Sequence, residues 1–142
     1  MKSTLKVGKI EAKPGTVEYG FMDAGEMQDG STAKIPVALI NGSQHGDILY
    51  LQSVSDGNEL NGVAVVHHIL NTIKPDELKG ALIIIPIVNV FAFFSKQTYN
   101  PADNKKMNRC FPGDNKGTSS QRISHKIFHQ AVLQAKYCID LH

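Results

Sequence analysis

The sequence lacks the features of a membrane-spanning or exported protein. It contains no tryptophan, and its longest apolar stretch, residues 81–88, is interrupted by Pro86 and is far too short to cross a bilayer. Residues 1–15 do not contain the apolar centre of a signal peptide. We therefore expect a cytoplasmic protein without a membrane partner.

An excess of one charge and clustered cysteines are also absent. The 15 basic and 13 acidic residues are interspersed and give a net charge of +2, with no Lys/Arg-rich run. This balance argues against a nucleic-acid partner. Cys110 and Cys138 lack metal-binding or redox spacing, so a reduced protein is the simplest interpretation, and a single disulfide is the alternative. Arginine is scarce, since only Arg109 and Arg122 occur.

What the sequence does contain is typical of a globular α/β protein. Hydrophobic residues make up 42% and charged residues 20% of the 142 residues, which predicts a single domain over residues 1–142. Apolar runs of strand length alternate with segments whose apolar residues recur at helical spacing. This order predicts an α/β fold with a mostly parallel or mixed sheet flanked by helices. The predicted strands cover residues 33–40, 48–54, 81–88 and 137–141, and the predicted helices cover residues 61–73 and 119–133.

Two segments depart from this regular alternation. Residues 89–118 show no clear period, and a loop of this length is uncommon inside a compact domain and is often functional. Residues 137–142 have the composition of a buried strand that ends in ionisable residues, whereas a chain terminus is usually polar and exposed. This ending predicts that the chain is a truncated product.

Polar residues follow the predicted strands at the point where each strand ends. Asp56 and Glu59 come after the strand that ends near residue 54, Asn89 follows residue 88, and His142 ends the last strand. Because the carboxyl ends of parallel strands meet at one edge of a sheet, these side chains should lie together. Two carboxylates and an imidazole suit Zn²⁺ and leave one coordination position open.

Three short motifs carry a family resemblance. They are DGNELNG at residues 56–62, NRCFPG at residues 108–113 and DLH at residues 140–142. In order, spacing and strand–loop context they resemble the motifs of the succinylglutamate desuccinylase/aspartoacylase family, which belongs with the zinc carboxypeptidases. The likeness runs from about residue 36 to the last residue.

The resemblance implies a zinc-carboxypeptidase-like α/β fold, incomplete in this chain, and a metal-dependent hydrolase that cleaves the C–N bond of an N-acylated amino acid or related small molecule. It implies a single zinc ion held by Asp56, Glu59 and His142. It also implies that Asn108 and Arg109 bind the carboxylate of the substrate, a task that suits the planar fork of arginine.

The chain departs from the family pattern at three points. Asp56 stands where the family has histidine, which could favour Mn²⁺ or another divalent ion. The family's upstream arginine is missing, so only Lys96, Lys105 or Lys106 could replace it. The general-base glutamate is expected beyond residue 142, and the catalytic residue is therefore unknown here. The alternative interpretation is a catalytically silent metal- or ligand-binding fragment, with a homo-oligomer covering its unfinished sheet.

Two local alternatives concern individual residues. The segment QHGDI at residues 44–48 also looks like the first motif, but His45 precedes its strand and would lie at the wrong end of the sheet, so a turn residue is predicted. Asp140 could orient His142, although the alternation of side chains along a strand could point it away.

Overall fold

The computed structural model describes residues 3–27 and 29–142, and a five-stranded mixed sheet forms its centre. Two short antiparallel strands, β1 (Leu5–Val7) and β2 (Ile10–Ala12), form a separate small sheet. The central sheet has the order β3-β4-β6-β5-β7, with β4 antiparallel to both neighbours and β5 parallel to both of its own. Its strands are β3 (Thr16–Glu26), β4 (Thr32–Asn41), β5 (Gln44–Ser53), β6 (Lys79–Ile85) and β7 (Tyr137–Leu141).

Helices cover both faces of the central sheet. Helix α1 (Asn61–Thr72) packs on one face, whereas α2 (Val90–Ser95) and α3 (Ser119–Gln130) pack on the other, together with β1 and β2. Two 3₁₀ turns, Met107–Arg109 and Val132–Gln134, precede and follow α3. Within the described ranges, no helix is both long and apolar enough to cross a bilayer.

The unbroken apolar composition of β6 follows from its position in the middle of the sheet. Successive side chains of a strand point to opposite faces, and both faces of β6 are covered. Leu82 and Ile84 join the core beneath α1, and Ile83 and Ile85 join the core beneath α3. The part of β6 that is buried on both sides, residues 81–85, is therefore apolar at every position.

The parallel pairing of β5 and β7 decides where polar groups meet. The register places Gln52 opposite Asp140 and Ser53 opposite Leu141. Residues that follow Ser53 and Leu141 in the sequence therefore leave the sheet at the same edge, next to each other.

The predicted strands and helices are confirmed, and so is the mixed sheet flanked by helices. The boundaries differ in several places. Strand β6 ends at Ile85 rather than at residue 88, and α3 ends at Gln130 rather than at residue 133. Strand β5 begins at Gln44, four residues before the predicted start, so residues 44–47 are strand rather than loop. Residues 89–118 contain α2 and the Met107–Arg109 turn, and are therefore less irregular than predicted.

The last strand was predicted to be buried, and this prediction is wrong, since its first four residues are exposed and Leu141 is half-buried. Within the described residues, strand β7 pairs with β5 alone and forms one edge of the sheet. Its side chains Tyr137 and Ile139 are 54% and 44% exposed, and Cys138 is also exposed. Both cysteines are free thiols, which excludes the disulfide alternative.

Candidate metal centre

The loop after β5 turns sharply before it reaches Asp56. Val54 is fully buried and has a φ of +56°, a left-handed conformation that a β-branched residue rarely adopts. Asn89 holds this turn, because its backbone N–H donates to the Val54 carbonyl and its side-chain amide donates to the Ser55 carbonyl. Asn89 also caps α2 by accepting the Ala92 N–H. Its position after a strand therefore reflects a structural role.

Gly57 allows the same loop to pack against α2. Its N–H donates to the Gln97 carbonyl at 2.9 Å. A Cβ atom at this position would lie 2.1 Å from the carbonyl carbon of Ala92, which no side chain could tolerate. Glu59 then follows in a turn closed by its N–H to the Asp56 carbonyl, immediately before α1 begins.

His142 and Glu59 meet at the edge formed by the ends of β5 and β7. The His142 Nδ1 atom lies 2.7 Å from Glu59 Oε2, and the Nε2 atom lies 3.1 Å from Asp140 Oδ2. The hydrogen bond with Glu59, helped by the negative charge of Asp140, raises the pKa of His142 above its ordinary value although partial burial opposes this. The imidazole is thus held between two carboxylates.

A chain of hydrogen bonds runs from Tyr50 through Gln52 and Ser55 to Asp140. The Tyr50 hydroxyl donates to Gln52 Oε1 at 2.6 Å, the Gln52 amide donates to the Ser55 hydroxyl at 3.4 Å, and that hydroxyl lies 3.3 Å from both oxygens of Asp140. Burial raises the pKa of the Tyr50 phenol well above its ordinary value, and the nearby charge of Asp140 acts in the same direction. The phenol therefore remains a neutral hydrogen-bond donor.

Glu59, Asp140 and His142 form a cluster of contacting side chains. Asp56 lies in the same turn as Glu59, but its side chain has a partner outside this cluster. Its Oδ2 atom accepts a hydrogen bond from Lys106 Nζ at 3.2 Å, and its side chain is only 9% exposed. Its Oδ1 atom is buried and has no hydrogen-bond partner among residues 3–27 and 29–142. A buried carboxylate oxygen normally accepts a hydrogen bond or binds a cation. Asp56 Oδ1 is therefore available for one of these interactions.

The second motif lies on the 3₁₀ turn that contains Asn108 and Arg109. Asn108 lines a cavity of about 290 Å³ that also contacts the polar side chains of Gln52 and Asp140. The Arg109 side chain makes no hydrogen bond or ion pair within the part of the chain that the structure describes. A larger cavity of about 780 Å³, lined among others by Asp103 and Arg122, contains none of the predicted site residues.

Of the three predicted ligands, the structure brings Glu59 and His142 into direct contact and gives Asp56 an ion pair with Lys106. Across residues 3–27 and 29–142, no group of three or more His, Cys, Asp or Glu side chains is arranged to hold a metal ion. The donor types nevertheless fit a divalent cation, because an imidazole, a carboxylate and the unpartnered Asp56 oxygen lie on neighbouring segments. The ligand assignment remains a prediction.

Asp140 faces His142, so the alternative in which it orients the imidazole agrees with the structure. His45 lies in the first part of β5, at the end of that strand opposite to Asp56, and is therefore remote from the cluster. The prediction that it is a turn residue is wrong, because β5 starts one residue earlier.

Sequence reasoning missed the supporting residues of the cluster. Tyr50, Gln52 and Ser55 belong to no motif, although Tyr50 and Gln52 lie two positions apart and therefore point to the same face of β5. Lys106 was one of three candidates to replace a missing arginine, and nothing in the sequence indicated its pairing with Asp56. That pairing depends on the fold of residues 96–106.

Comparison with known proteins adds the family context. Residues 45–142 match the family model of the succinylglutamate desuccinylase/aspartoacylase catalytic domain. The chain is 26% identical over 136 residues to an N-alpha-acetyl-L-2,4-diaminobutyric acid deacetylase from Halomonas elongata, a match that covers 94% of this chain and 40% of that protein. The chain thus spans less than half the length of this curated relative.

Solved structures give the same result for the fold. A succinylglutamate desuccinylase/aspartoacylase from Rhodobacter sphaeroides superposes with a TM-score of 0.81 at 28% identity, covering 89% of this chain and 39% of that one. An aspartoacylase family protein from Mesorhizobium loti superposes with a TM-score of 0.81 at 25% identity, covering 96% and 44%. Both similarities extend over most of the elements described above.

Proposed function

The chain belongs to the succinylglutamate desuccinylase/aspartoacylase family, and we propose on that premise that it forms the metal- and substrate-binding part of a zinc-dependent deacylase. The reaction is hydrolysis of the amide bond of an N-acylated amino acid or a related small molecule. The observation that carries the proposal is the contact between Glu59 and His142, which are 83 positions apart in the sequence and lie 2.7 Å from each other at the edge of the sheet.

The proposed ligands of the metal are Asp56, Glu59 and His142. A zinc ion bound there would polarise the scissile carbonyl of the substrate; Mn²⁺ or another divalent ion is the alternative. Asp140, supported by Ser55, holds the Nε2 side of the imidazole and leaves the Nδ1 side directed at Glu59. This arrangement fixes the ring orientation that a histidine ligand requires.

Asn108 and Arg109 are proposed to bind the carboxylate of the substrate. Asn108 borders the cavity of about 290 Å³ on the same side as Asp140. The guanidinium of Arg109 has no partner within the described residues, so its donors are available for a bidentate contact with a carboxylate. A cytoplasmic location and assembly into a homo-oligomer also belong to this proposal.

A second candidate function is a silent metal- or ligand-binding protein. The ion pair between Lys106 and Asp56 favours it, because it occupies one of the three proposed ligands with an internal cation. The two candidates share the binding site and differ in whether the amide bond is cleaved.

The test is an assay of amine release by the zinc-loaded full-length protein, because the general-base glutamate is expected beyond residue 142. The probes are Nα-acetyl-L-2,4-diaminobutyric acid and N-succinylglutamate, each compared with its amidated analogue that lacks the free carboxylate. We expect release of the amine from the free acids. Arg109→Gln should weaken this activity by about tenfold to a hundredfold, because a hydrogen bond to a charged group contributes roughly 1.5–3 kcal/mol.

The matched control is Arg122→Gln. Arg122 is the only other arginine, and it donates to the Gly117 carbonyl, away from the cluster. Its substitution should leave amine release unchanged. Binding of the free acids without any amine release would instead support the silent candidate, and equal effects of the two substitutions would contradict the role of Arg109.

A further inference from the structure

Lys106 places an internal cation on the carboxylate that the proposed site would offer to a metal. Its Nζ atom lies 3.2 Å from Asp56 Oδ2, and the two side chains are 25% and 9% exposed. We propose that Lys106 sets the affinity of the site for divalent cations by competing with them for Asp56. This inference rests on the proposed metal site and adds a residue that the site does not otherwise include.

The local structure holds the ammonium in place. Lys106 lies immediately before the 3₁₀ turn of the second motif, and its carbonyl accepts the Arg109 N–H and the Cys110 thiol. Its Nζ atom also lies 5.6 Å from the centre of the Tyr99 ring, a favourable position for a cation. The ion pair therefore links the first motif to the segment that carries the substrate-binding residues.

The two oxygens of Asp56 differ in what they can still bind. Oδ2 accepts a hydrogen bond from Lys106, whereas Oδ1 is buried and has no partner in the described part of the chain. A metal ion could use only Oδ1 while the ion pair persists, and it would then lie close to the ammonium. Repulsion between a divalent ion and a fixed positive charge is strong when both are shielded from water.

Removal of the ammonium should therefore strengthen metal binding. Asp56, Glu59 and Asp140 supply the negative charge of the proposed site, and among the described residues Lys106 is the lysine that forms an ion pair with one of them. Without that positive charge, both oxygens of Asp56 become available and the repulsion disappears. The alternative is that Lys106 only anchors the loop, in which case its removal would loosen Asp56 and weaken binding.

The experiment is calorimetric titration of the protein with Zn²⁺ alone. Lys106→Met keeps the aliphatic stem and removes the charge, and we expect it to bind Zn²⁺ at least about tenfold more tightly than the wild type. Lys106→Arg keeps the charge and should bind like the wild type. Lys105→Met is the matched control, since it removes the same charge from the neighbouring position, and it should leave the affinity unchanged.

Thermal unfolding of each variant checks that the fold is retained, and Lys106→Gln replaces Lys106→Met if the latter does not fold. Zinc binding by the folded neutral variants that is equal to or weaker than that of the wild type would overturn the inference. The proposed metal site would still be supported in that case if zinc binding by the wild type depended on Glu59. If neither the wild type nor any variant binds Zn²⁺, the proposed site fails and this inference fails with it. Binding that appears only in the neutral variants would support it.

Discussion

At the scale of single residues, the contact between His142 and Glu59 is the centre of the proposed metal site. It joins a residue just before α1 to the residue after β7, and Asp140 completes it from the other side of the ring. Two carboxylates around one imidazole favour its protonated form. A divalent cation and a proton would therefore compete for His142.

Replacement of Glu59 should lower the pKa of His142. Glu59→Gln removes the strongest of the interactions that raise this pKa, so the pKa of His142 should fall towards its ordinary value. The measurement is an NMR titration of the imidazole, with Glu77→Gln as a control because Glu77 pairs with Lys74 instead. An unchanged titration in Glu59→Gln would contradict the contact.

The same contact has a consequence for stability. Because the pKa of His142 is raised in the folded state, its interaction with Glu59 stabilises the fold fully below the pKa of an unfolded histidine. This stabilisation is lost as the pH rises through the folded pKa. The effect should be small, since the His142 side chain is 43% exposed.

The contacts of individual side chains were the features that could least be predicted from the sequence. Glu59 and His142 could be placed together because strand ends and motifs indicate where they lie, whereas the direction of the Asp140 side chain was left open. Lys106 could not, because its contact with Asp56 spans 50 positions and depends on how an irregular segment folds back over the edge of the sheet. No periodic pattern in the sequence predicts such a contact.

At the scale of secondary structure elements, the start of α3 depends on a distant carboxylate. Asp103 accepts hydrogen bonds from the Ser120 N–H at 2.7 Å and from the Ser120 hydroxyl at 2.8 Å. Burial alone would raise the pKa of Asp103, but its hydrogen bonds with Ser120, Thr118 and Lys105 hold the pKa below its ordinary value. The negative charge also suits the N-terminus of a helix.

Asp103→Asn should therefore destabilise the protein by roughly 1 kcal/mol at about pH 7. A depressed pKa gives stability that is present above the unfolded value and is lost as the pH falls through the folded value. The difference between the wild type and the variant should thus shrink at about pH 2.5. Urea unfolding at both pH values measures it.

Asp114→Asn is the control for this prediction. Asp114 accepts a hydrogen bond from the Lys116 N–H in an exposed turn, and it does not contact the first turn of α3 through its side chain. A pH-independent difference between Asp103→Asn and the wild type would contradict the role assigned to the Asp103 carboxylate.

Elements with a clear periodic pattern were predictable, and those without one were not. Helix α1 and strands β4, β5 and β6 follow from apolar spacing and flanking turn residues. Helix α2 was missed because its six residues, VFAFFS, are too few to show a helical period. Strand β7 was predicted correctly, but its composition does not reveal that only one neighbour covers it.

At the scale of the whole molecule, the parallel arrangement of β5, β6 and β7 gathers the site at one edge of the sheet. The sequence order of strands and helices predicted this geometry, because parallel strands share their carboxyl ends. It did not predict that β4 would be antiparallel to β6. A homo-oligomer that covers the exposed edge of β7 stays a prediction.

The central claim is that Asp56, Glu59 and His142 hold a divalent cation. Its most direct test is the zinc content of the purified protein after incubation with Zn²⁺ and removal of the excess, compared between the wild type, Glu59→Ala and the exposed control Glu77→Ala. We predict about one zinc ion per chain in the wild type and in the control, and almost none in Glu59→Ala. Equal zinc content in all three proteins would contradict the account.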